Sequence, residues 1–235
     1  MKQIIAMGGG GFSMEPENPL LDEYLLKQSK SNQPKVCFIS TASGDAEGYI
    51  QRFYQSFKNH YCVPSHLSLF KNTPKDLEDY VMDKDIFYVG GGNTRNLLVL
   101  WKEWGLDKYL RKAWENGIIL AGLSAGSICW FEEGVTDSIP GELTRLECLG
   151  ILKGSSCPHY DGEVERRESY HRLLKENRIS NGIAMDDGVA VHYKENQIFK
   201  VISSRPNAKA YQVTFADNQV KEIEIIPIYL GDRDL

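Results

Sequence analysis

Short apolar segments alternate with longer amphipathic segments through the first half of the chain, and this alternation constrains the fold more than any other feature. A strand–helix–strand repeat places successive strands parallel in one sheet, with the connecting helices on its two faces. The segment IILAGL has the apolar composition of a central strand that is buried on both faces. The pattern predicts strands at residues 4–7, 35–41, 66–70, 85–89 and 118–123, and helices at residues 19–29, 46–61, 74–82, 94–104 and 106–115.

The pattern changes after about residue 189. The segments VAVHY, QIFKVIS, AYQVTF and VKEIEIIPIY are separated by turn sequences such as KEN and ADN, which is typical of antiparallel hairpins. The sequence leaves open whether these hairpins extend the first sheet or form an edge layer. No repeat, low-complexity segment or linker interrupts the chain. We therefore predict one α/β domain, residues 1–235, with a doubly wound, mostly parallel sheet and antiparallel C-terminal hairpins.

Composition disfavours several classes of protein. The net charge of −5 argues against general nucleic-acid binding, which needs a basic surface. No apolar segment is long enough to cross a bilayer, and the N-terminal MKQIIAMGGGGF lacks the apolar segment of a signal peptide. The five cysteines are odd in number and include no CxxC pair, so neither a disulfide framework nor a zinc site is predicted. A cytoplasmic protein without nucleic-acid or membrane partners is expected.

The segment GLSAG, residues 122–126, lies where a predicted strand ends and a helix begins. In this context Gly-x-Ser-x-Gly is typical of a nucleophile elbow, a sharp turn that exposes a serine on strained backbone. Ser124 could instead be an ordinary helix cap. Two further glycine-rich strand ends, residues 8–11 and 90–92, are expected at the same sheet edge, where sites form in open α/β sheets. This context favours Ser124 as a nucleophile.

A serine nucleophile needs a general base. His159 is the candidate because it lies in the loop segment SSCPHYDGE, and loops at the end of a sheet commonly carry catalytic groups. The alternative for His159 is a solvated loop histidine. His171 lies in a polar helical segment, which is typical of a surface residue, and His192 lies in an alternating strand, where a structural role is favoured. His60 and His66 flank an earlier helix-to-strand connection.

The base in turn needs an acidic residue to orient it. Asp187 in IAMDDGVAV follows a short apolar strand, which places it at a strand end. Its neighbour Asp186 and the more distant Asp137, in GVTDSIPGE, are alternatives. An acidic pair before a glycine is also a common turn sequence.

An oxyanion hole needs backbone N–H donors. Ala125 directly follows the serine, and Gly92 in VGGGNT has no Cβ to keep a substrate away. A phosphate-binding turn is the alternative for this glycine run, but it lacks the Lys-Ser/Thr and the spacing of the known phosphate loops.

Four segments in this order resemble the peptidase E family: YVGGGNTRNLL at 88–98, AGLSAGS at 121–127, PHYD at 158–161 and MDDG at 185–188. The resemblance spans roughly residues 35–190. The family comprises serine peptidases that include α-aspartyl dipeptidases, and it is related to cyanophycinases. The resemblance implies a fold like that of class I glutamine amidotransferase domains, with serine in place of their cysteine.

The resemblance also assigns roles to residues of this chain. It implies that Ser124 is the nucleophile, that His159 is the base, and that Gly92 and Ala125 supply the oxyanion donors. The family's acid has been placed at two positions, which correspond here to Asp137 and Asp187, and the strand-end position favours Asp187.

The segment VERRES is similar to a Thr-Arg-Glu segment of the family's aspartyl dipeptidases. It contains Arg166 and Arg167, and Arg167, which precedes Glu168, is the better match for an arginine that binds a substrate carboxylate. A surface arginine in a charged helix is the alternative. The opening GGGGFSMEPENPLLDEYLL differs from the short dipeptidase pattern, so the substrate pocket could differ as well.

The resemblance therefore predicts a serine peptidase that hydrolyses small peptides, among them dipeptides with N-terminal aspartate, through an acyl-enzyme and without metal or cofactor. A cyanophycinase-like hydrolase of β-linked aspartyl amides and a non-catalytic ligand-binding homologue stay open. An ordinary α/β-hydrolase esterase is disfavoured, because that fold places its histidine last and the HGGG segment is absent. A small peptide is the expected partner, and a homodimer is left open.

Overall fold

The structure is a computed structural model that describes residues 1–232, so the last three residues of the predicted domain lie outside it. Within that range, strands form two sheets with helices packed on them. The strands are β1 (Gln3–Met7), β2 (Lys35–Ile39), β3 (Val63–Leu67), β4 (Ile86–Val89), β5 (Ile119–Leu123), β6 (Phe131–Thr136), β7 (Thr144–Glu147), β8 (Leu152–Cys157), β9 (Gly182–Met185), β10 (Val189–Lys194), β11 (Gln197–Ser203), β12 (Ala210–Ala216), β13 (Gln219–Ile225) and β14 (Ile228–Tyr229). The helices are α1 (Gly11–Met14), α2 (Leu20–Leu26), α3 (Glu47–Phe57), α4 (Leu77–Met82), α5 (Thr94–Trp104), α6 (Leu106–Glu115), α7 (Ala125–Ile128) and α8 (Val164–Lys175), with a 3₁₀ turn at Thr41–Ser43.

The first sheet has the strand order β14–β11–β10–β1–β5–β4–β2–β3. Its strands β1, β5, β4, β2 and β3 are parallel, and β10 joins β1 antiparallel. Alternate residues of β1 belong to different buried clusters: Ile4 and Ala6 pack on one face of the sheet, and Ile5 and Met7 on the other. The predicted fold class is confirmed: a doubly wound, mostly parallel α/β sheet with antiparallel C-terminal hairpins.

The second sheet has the order β13–β12–β9–β8–β6–β7. The sequence pattern did not predict β6, β7 or β8, because these strands carry many polar residues. In β8, Ser155 and Ser156 are fully buried, and the Ser155 hydroxyl lies 2.6 Å from the Tyr170 hydroxyl. Both sheets contribute to one buried cluster, since Phe131 of β6 and Met185 of β9 belong to the same cluster as Ile4 of β1.

The C-terminal hairpins extend both sheets. The β10–β11 hairpin continues the first sheet, and the β12–β13 hairpin continues the second. The predicted segment VKEIEIIPIY is divided into β13 and β14, because Pro227 interrupts it.

Several predicted boundaries were wrong, and the helices predicted at residues 19–29 and 46–61 end at Leu26 and Phe57. The strand predicted at residues 66–70 occupies Val63–Leu67. It lies at the edge of the sheet, where β2 is its one partner among residues 1–232, and so it tolerates Pro64. The helix predicted from residue 74 begins at Leu77, because the Asp76 side chain accepts a hydrogen bond from the Asp79 N–H at 2.9 Å and caps the helix.

Candidate active site

The carboxyl end of β1 joins the three segments that carry the candidate triad. The Ser124 N–H donates to the Met7 carbonyl at 3.3 Å, and the His159 N–H donates to the Gly8 carbonyl at 3.2 Å. The Gly188 N–H, next to Asp187, donates to the Gly9 carbonyl at 3.1 Å. Three consecutive carbonyls of one strand end therefore hold the serine, histidine and aspartate segments side by side.

Ser124 lies on a strained turn between β5 and α7. Its backbone angles are φ 55° and ψ −118°, a region that costs a non-glycine residue about 1–3 kcal/mol. The flanking glycines are required by close packing: a Cβ on Gly122 would lie 2.3 Å from the Gly126 carbonyl oxygen, and a Cβ on Gly126 would lie 2.2 Å from that of Val89. This geometry is that of a nucleophile elbow.

Ser124 lines a cavity of about 220 Å³. Beside it, the end of β4 contributes backbone without side chains, and a Cβ on Gly91 would lie only 3.2 Å from the Ser124 Cβ. The residues that line the cavity are Gly92, Asn93, Ser124, Asp137, Ser138, Glu163 and Arg166.

His159 and Asp187 form a buried pair. The His159 Nδ1 lies 2.6 Å from the Asp187 Oδ1. Burial raises the pKa of Asp187, but the hydrogen bond from His159 and the nearby positive charges outweigh it, so that this pKa lies below its ordinary value. The carboxylate is therefore ionised, and it engages the Nδ1 nitrogen of the ring. His159 Nε2 and Ser124 Oγ are not hydrogen-bonded to each other in this structure.

Two glycines make room for the Asp187 carboxylate. A Cβ on Gly9 would lie 2.1 Å from Asp187 Oδ1, and a Cβ on Gly162 would lie 2.4 Å from Asp187 Oδ2. Asp161 accepts a hydrogen bond from the Asp187 N–H at 2.8 Å. Gly9 of the N-terminal glycine run and Gly162 of the segment PHYDG therefore both leave space for this carboxylate.

The two candidate oxyanion donors lie near the serine. Within residues 1–232, neither the Gly92 N–H nor the Ala125 N–H donates to a protein acceptor, so both are available to a substrate. Gly92 has φ 135°, and a Cβ there would lie 2.4 Å from the Ala42 carbonyl oxygen. Only glycine fits this position.

The sequence matches the model of peptidase family S51 over residues 4–201. The chain belongs to peptidase family S51. It is 61% identical over 231 residues to the uncharacterized peptidase YgaJ of Bacillus subtilis (strain 168), a match that covers 98% of this chain and 100% of the relative. Membership of this family makes the chain a serine-type peptidase, as the resemblance to the peptidase E family predicted.

Two solved structures share the fold of this S51 peptidase. A candidate peptidase E protein from Listeria monocytogenes EGD-e aligns with a TM-score of 0.64 at 20% identity, covering 87% of this chain and 98% of that one. A peptidase from an acI-B1 Actinobacterium aligns with a TM-score of 0.66 at 18% identity, covering 99% of this chain and 96% of that one. At these identities the likeness supports the fold alone.

Of the three acidic residues considered for the triad, only Asp187 contacts His159. Asp137 is exposed, and its Oδ1 lies 4.0 Å from the Arg166 Nη2. Asp186 points away, because its Oδ2 accepts a hydrogen bond from the Lys209 N–H at 2.9 Å. Burial raises the pKa of Asp186 to about 6.

Arg167 does not line the cavity. Its guanidinium binds Glu222 of β13 and lies 5.1 Å from the ring centres of both Tyr160 and Tyr211. Burial raises the pKa of Glu222, but hydrogen bonds from Arg167, Tyr160 and His171 outweigh it and lower this pKa to about 2. Arg167 and His171 therefore attach α8 to β13 through Glu222.

Arg166 occupies the cavity wall instead, and sequence reasoning passed over it in favour of Arg167. The signal was available in the helical period, because Arg166, Tyr170 and Leu173 lie on the buried face of α8. Glu163, which precedes α8, was missed too.

No group of three or more metal-ligating side chains occurs in the described part of the chain. No helix within residues 1–232 has the length and apolar character needed to cross a membrane. The five cysteines are all buried and unpaired.

Proposed function

We propose that Ser124, His159 and Asp187 form a catalytic triad that hydrolyses small peptides through an acyl-enzyme. The observation that carries this proposal is the 2.6 Å contact between His159 and Asp187, on the strand end that also holds the strained Ser124 turn. An ionised Asp187 keeps the proton of the neutral imidazole on Nδ1, which leaves Nε2 free to accept one.

In the first half of the reaction, Ser124 Oγ attacks the carbonyl carbon of the scissile bond, and His159 Nε2 takes the hydroxyl proton. The negative oxygen of the tetrahedral intermediate accepts hydrogen bonds from the Gly92 and Ala125 N–H groups. His159 then gives its proton to the leaving amine, the C–N bond breaks, and the acyl group stays on Ser124 as an ester.

In the second half, a water molecule replaces the amine. His159 Nε2 takes a proton from the water as its oxygen attacks the ester carbonyl, and the same N–H groups bind the oxyanion. Collapse of this intermediate breaks the bond to Ser124 Oγ, which recovers the proton from His159. The products are one amine and one carboxylic acid, and no cofactor is consumed.

The size of the cavity supports a small substrate. Its volume of about 220 Å³ is below the ~300–1,000 Å³ of pockets that hold drug-sized ligands. A cavity of this size favours a small substrate over a long peptide. The expected preference for N-terminal aspartate depended on Arg167, and this side chain is bound to Glu222 outside the cavity.

The test compares Ser124→Ala with Ser127→Ala. Ser127 lies on α7, the short helix that directly follows Ser124. It is fully buried and its hydroxyl has no hydrogen-bond partner among the described residues, so its removal is a matched control. Hydrolysis of a dipeptide panel and labelling by a fluorophosphonate are measured for both variants. Ser124→Ala should lose labelling and about 10⁴–10⁶-fold in rate, while Ser127→Ala retains both.

If Ser124→Ala hydrolysed dipeptides at the rate of the wild type, the proposed nucleophile would be refuted. A wild-type protein that binds dipeptides but neither cleaves them nor reacts with the fluorophosphonate would be a ligand-binding homologue instead.

A further inference from the structure

We propose that the ion pair between Glu15 and Arg205 positions the acid of the triad and sets the pH range in which His159 acts as an unprotonated base. This inference rests on the proposed function of Ser124, His159 and Asp187, and it adds two positioning residues to the same site. Neither Glu15 nor Arg205 lines the cavity beside Ser124, so both act through Asp187.

The turn that carries Asp187 is packed against Arg205. Gly188 directly follows Asp187, and a Cβ on Gly188 would lie 2.8 Å from the Arg205 Cγ and 2.9 Å from its Cδ. The Ser204 N–H donates to the Gly188 carbonyl at 2.8 Å. The stem of Arg205 therefore occupies the space that a side chain at position 188 would need, and the segment after β11 holds the Asp187 turn in place.

Glu15 in turn holds Arg205. The Glu15 Oε1 accepts a hydrogen bond from the Arg205 Nε at 2.6 Å, and its Oε2 accepts one from the Ser204 hydroxyl at 2.6 Å. A Cβ on Gly10 would lie 3.1 Å from the Glu15 Oε2 and 3.2 Å from the Gly188 Cα. A charge-assisted pair thus joins the segment after α1 to the segment after β11, beside the turn that carries the triad acid.

The charge of Arg205 acts on the triad pair. Burial raises the pKa of Asp187, but the hydrogen bond from His159 and nearby charges, that of Arg205 among them, lower it below its ordinary value. The same positive charge disfavours a protonated His159 ring, and the carboxylate of Glu15 offsets part of it. The other ionisable groups that surround the pair come from the His159 loop, from α8 and from the end of β9: Asp161, Glu163, Arg166 and Asp186.

The two residues should have opposite effects on the pH dependence of the reaction. His159 must be unprotonated before it takes the Ser124 proton, so kcat/KM falls at low pH as the ring becomes protonated. A nearby positive charge moves this acid limb to lower pH, and a nearby negative charge moves it to higher pH. Because Glu15 and Arg205 share one hydrogen bond, a purely structural role would instead give both residues effects of the same sign.

Variants of the full chain separate charge from structure. Arg205→Met keeps an unbranched stem but removes the charge, and it should raise the midpoint of the acid limb by about 0.5 pH unit. Glu15→Gln should lower the midpoint by a similar amount, and the two shifts should cancel in the double variant. Arg205→Lys keeps the charge and should restore the wild-type midpoint. KM should stay unchanged in all of them, because neither residue lines the cavity.

Arg145→Met and Glu133→Gln are the matched control pair. The Arg145 Nη2 lies 2.9 Å from the Glu133 Oε1, and the two side chains are 39% and 17% exposed, against 40% and 12% for Arg205 and Glu15. The control residues lie on β7 and β6, and β8 separates β6 from β9, whose end carries the triad acid. Neither control variant should move the acid limb. Added NaCl should reduce the shifts of the test variants, because Arg205 is partly exposed.

A second measurement needs no catalysis. In the Ser124→Ala background, the NMR signal of the His159 Cε1 proton reports the protonation of the ring, and His159→Asn identifies this signal among the five histidines. Its titration midpoint should rise in Arg205→Met and fall in Glu15→Gln. If these shifts occur in a protein whose wild type hydrolyses no peptide, the charge effect is supported and the proposed reaction is refuted.

The inference is overturned if Arg205→Met and Glu15→Gln move the two midpoints in the same direction, or no further than the control pair does. It is also overturned if Arg205→Lys shifts them as far as Arg205→Met, since the stem and its packing would then matter and the charge would not.

Discussion

The glycine run at the end of β1 separates two buried aspartates whose electrostatic environments are opposite. On one side, a Cβ on Gly9 would lie 2.1 Å from the Asp187 carboxylate, and on the other a Cβ on Gly11 would lie 3.0 Å from that of Asp22. Asp187 has His159 as a partner, and its pKa is below the ordinary value. Neither carboxyl oxygen of Asp22, which is 1% exposed, has a hydrogen-bond partner of good geometry among residues 1–232.

The difference in pKa follows from these surroundings. Burial raises the pKa of Asp22 to about 7, and the nearby Tyr88 hydroxyl and Phe12 N–H offset only part of this effect. For Asp187, the hydrogen bond and charge of His159 outweigh burial. Burial is therefore common to both residues, and the partner decides which carboxyl is charged at neutral pH. The charged carboxyl is the one that contacts His159.

The largest expected effect comes from removing the charge of Asp187. Asp187→Asn keeps the shape of the side chain, but its amide no longer stabilises a positive ring or fixes the proton on Nδ1 of His159. We expect kcat to fall about 10⁴-fold, as for the equivalent change in other serine peptidase triads. Steady-state kinetics on the best dipeptide measures this.

Asp137→Asn tests whether Asp137, rather than Asp187, is the acidic partner of His159. The Asp137 carboxylate does not contact His159, so its removal should change kcat by less than about tenfold and act mainly on KM. The reverse ranking of the two variants in kcat would move the triad acid to Asp137.

The second effect is on stability and concerns Asp22. The folded protein holds its proton up to about pH 7, whereas the unfolded chain releases it near 3.8. Between these values the folded state binds more protons, so the Asp22 contribution to stability decreases as pH rises and then levels off above pH 7. The loss amounts to as much as ~4 kcal/mol, the free energy that corresponds to a pKa of about 7 instead of 3.8.

Asp22→Asn cannot ionise and should escape this loss. Urea unfolding should find the variant more stable than the wild type at pH 8 by up to ~4 kcal/mol, with the difference shrinking towards pH 4. Other titrating groups, such as the buried His192, are common to both proteins and cancel in the comparison. A difference in stability that does not change with pH would mean that Asp22 is ionised in the folded protein.

The sequence predicted the first sheet well and the second poorly, for a physical reason. Strands β1 and β5 are apolar at nearly every position because helices cover both faces of their sheet. Strand β8, LKGSSC, buries serines whose hydroxyls are satisfied by partners distant in sequence, such as Tyr170 and the Ser180 carbonyl. Such partners are not visible in a local pattern.

In the candidate site, too, some features could be predicted from local sequence and others depend on the fold. The turn around Ser124 is a local feature, since its glycines and its strand–helix context lie within a few residues. The choice of Asp187 over Asp137 as the partner of His159 depends on where β9 ends relative to the His159 loop, which only the fold determines. Arg166 and Arg167 are neighbours in sequence, and the orientation of α8 decides that the first lines the cavity and the second binds Glu222.

The last variant tests whether the glycine run divides the two environments. In Gly9→Ala the new methyl group would occupy the position of Asp187 Oδ1, the atom that contacts His159 Nδ1, whereas Asp22 lies on the far side near Gly11. We expect a fall in kcat of about 10²-fold and a loss of about 1–3 kcal/mol in stability from overpacking.

Gly48→Ala is the control, because Gly48 is an exposed helical glycine with nothing within 4 Å of the added Cβ. That variant should keep full activity and gain up to ~1 kcal/mol. The decisive readout is the pH dependence of unfolding: Gly9→Ala should keep the loss of stability between pH 4 and pH 7 that Asp22 causes. If that loss disappears together with activity, the two aspartates respond to one shared space rather than to two environments that the glycine run keeps apart.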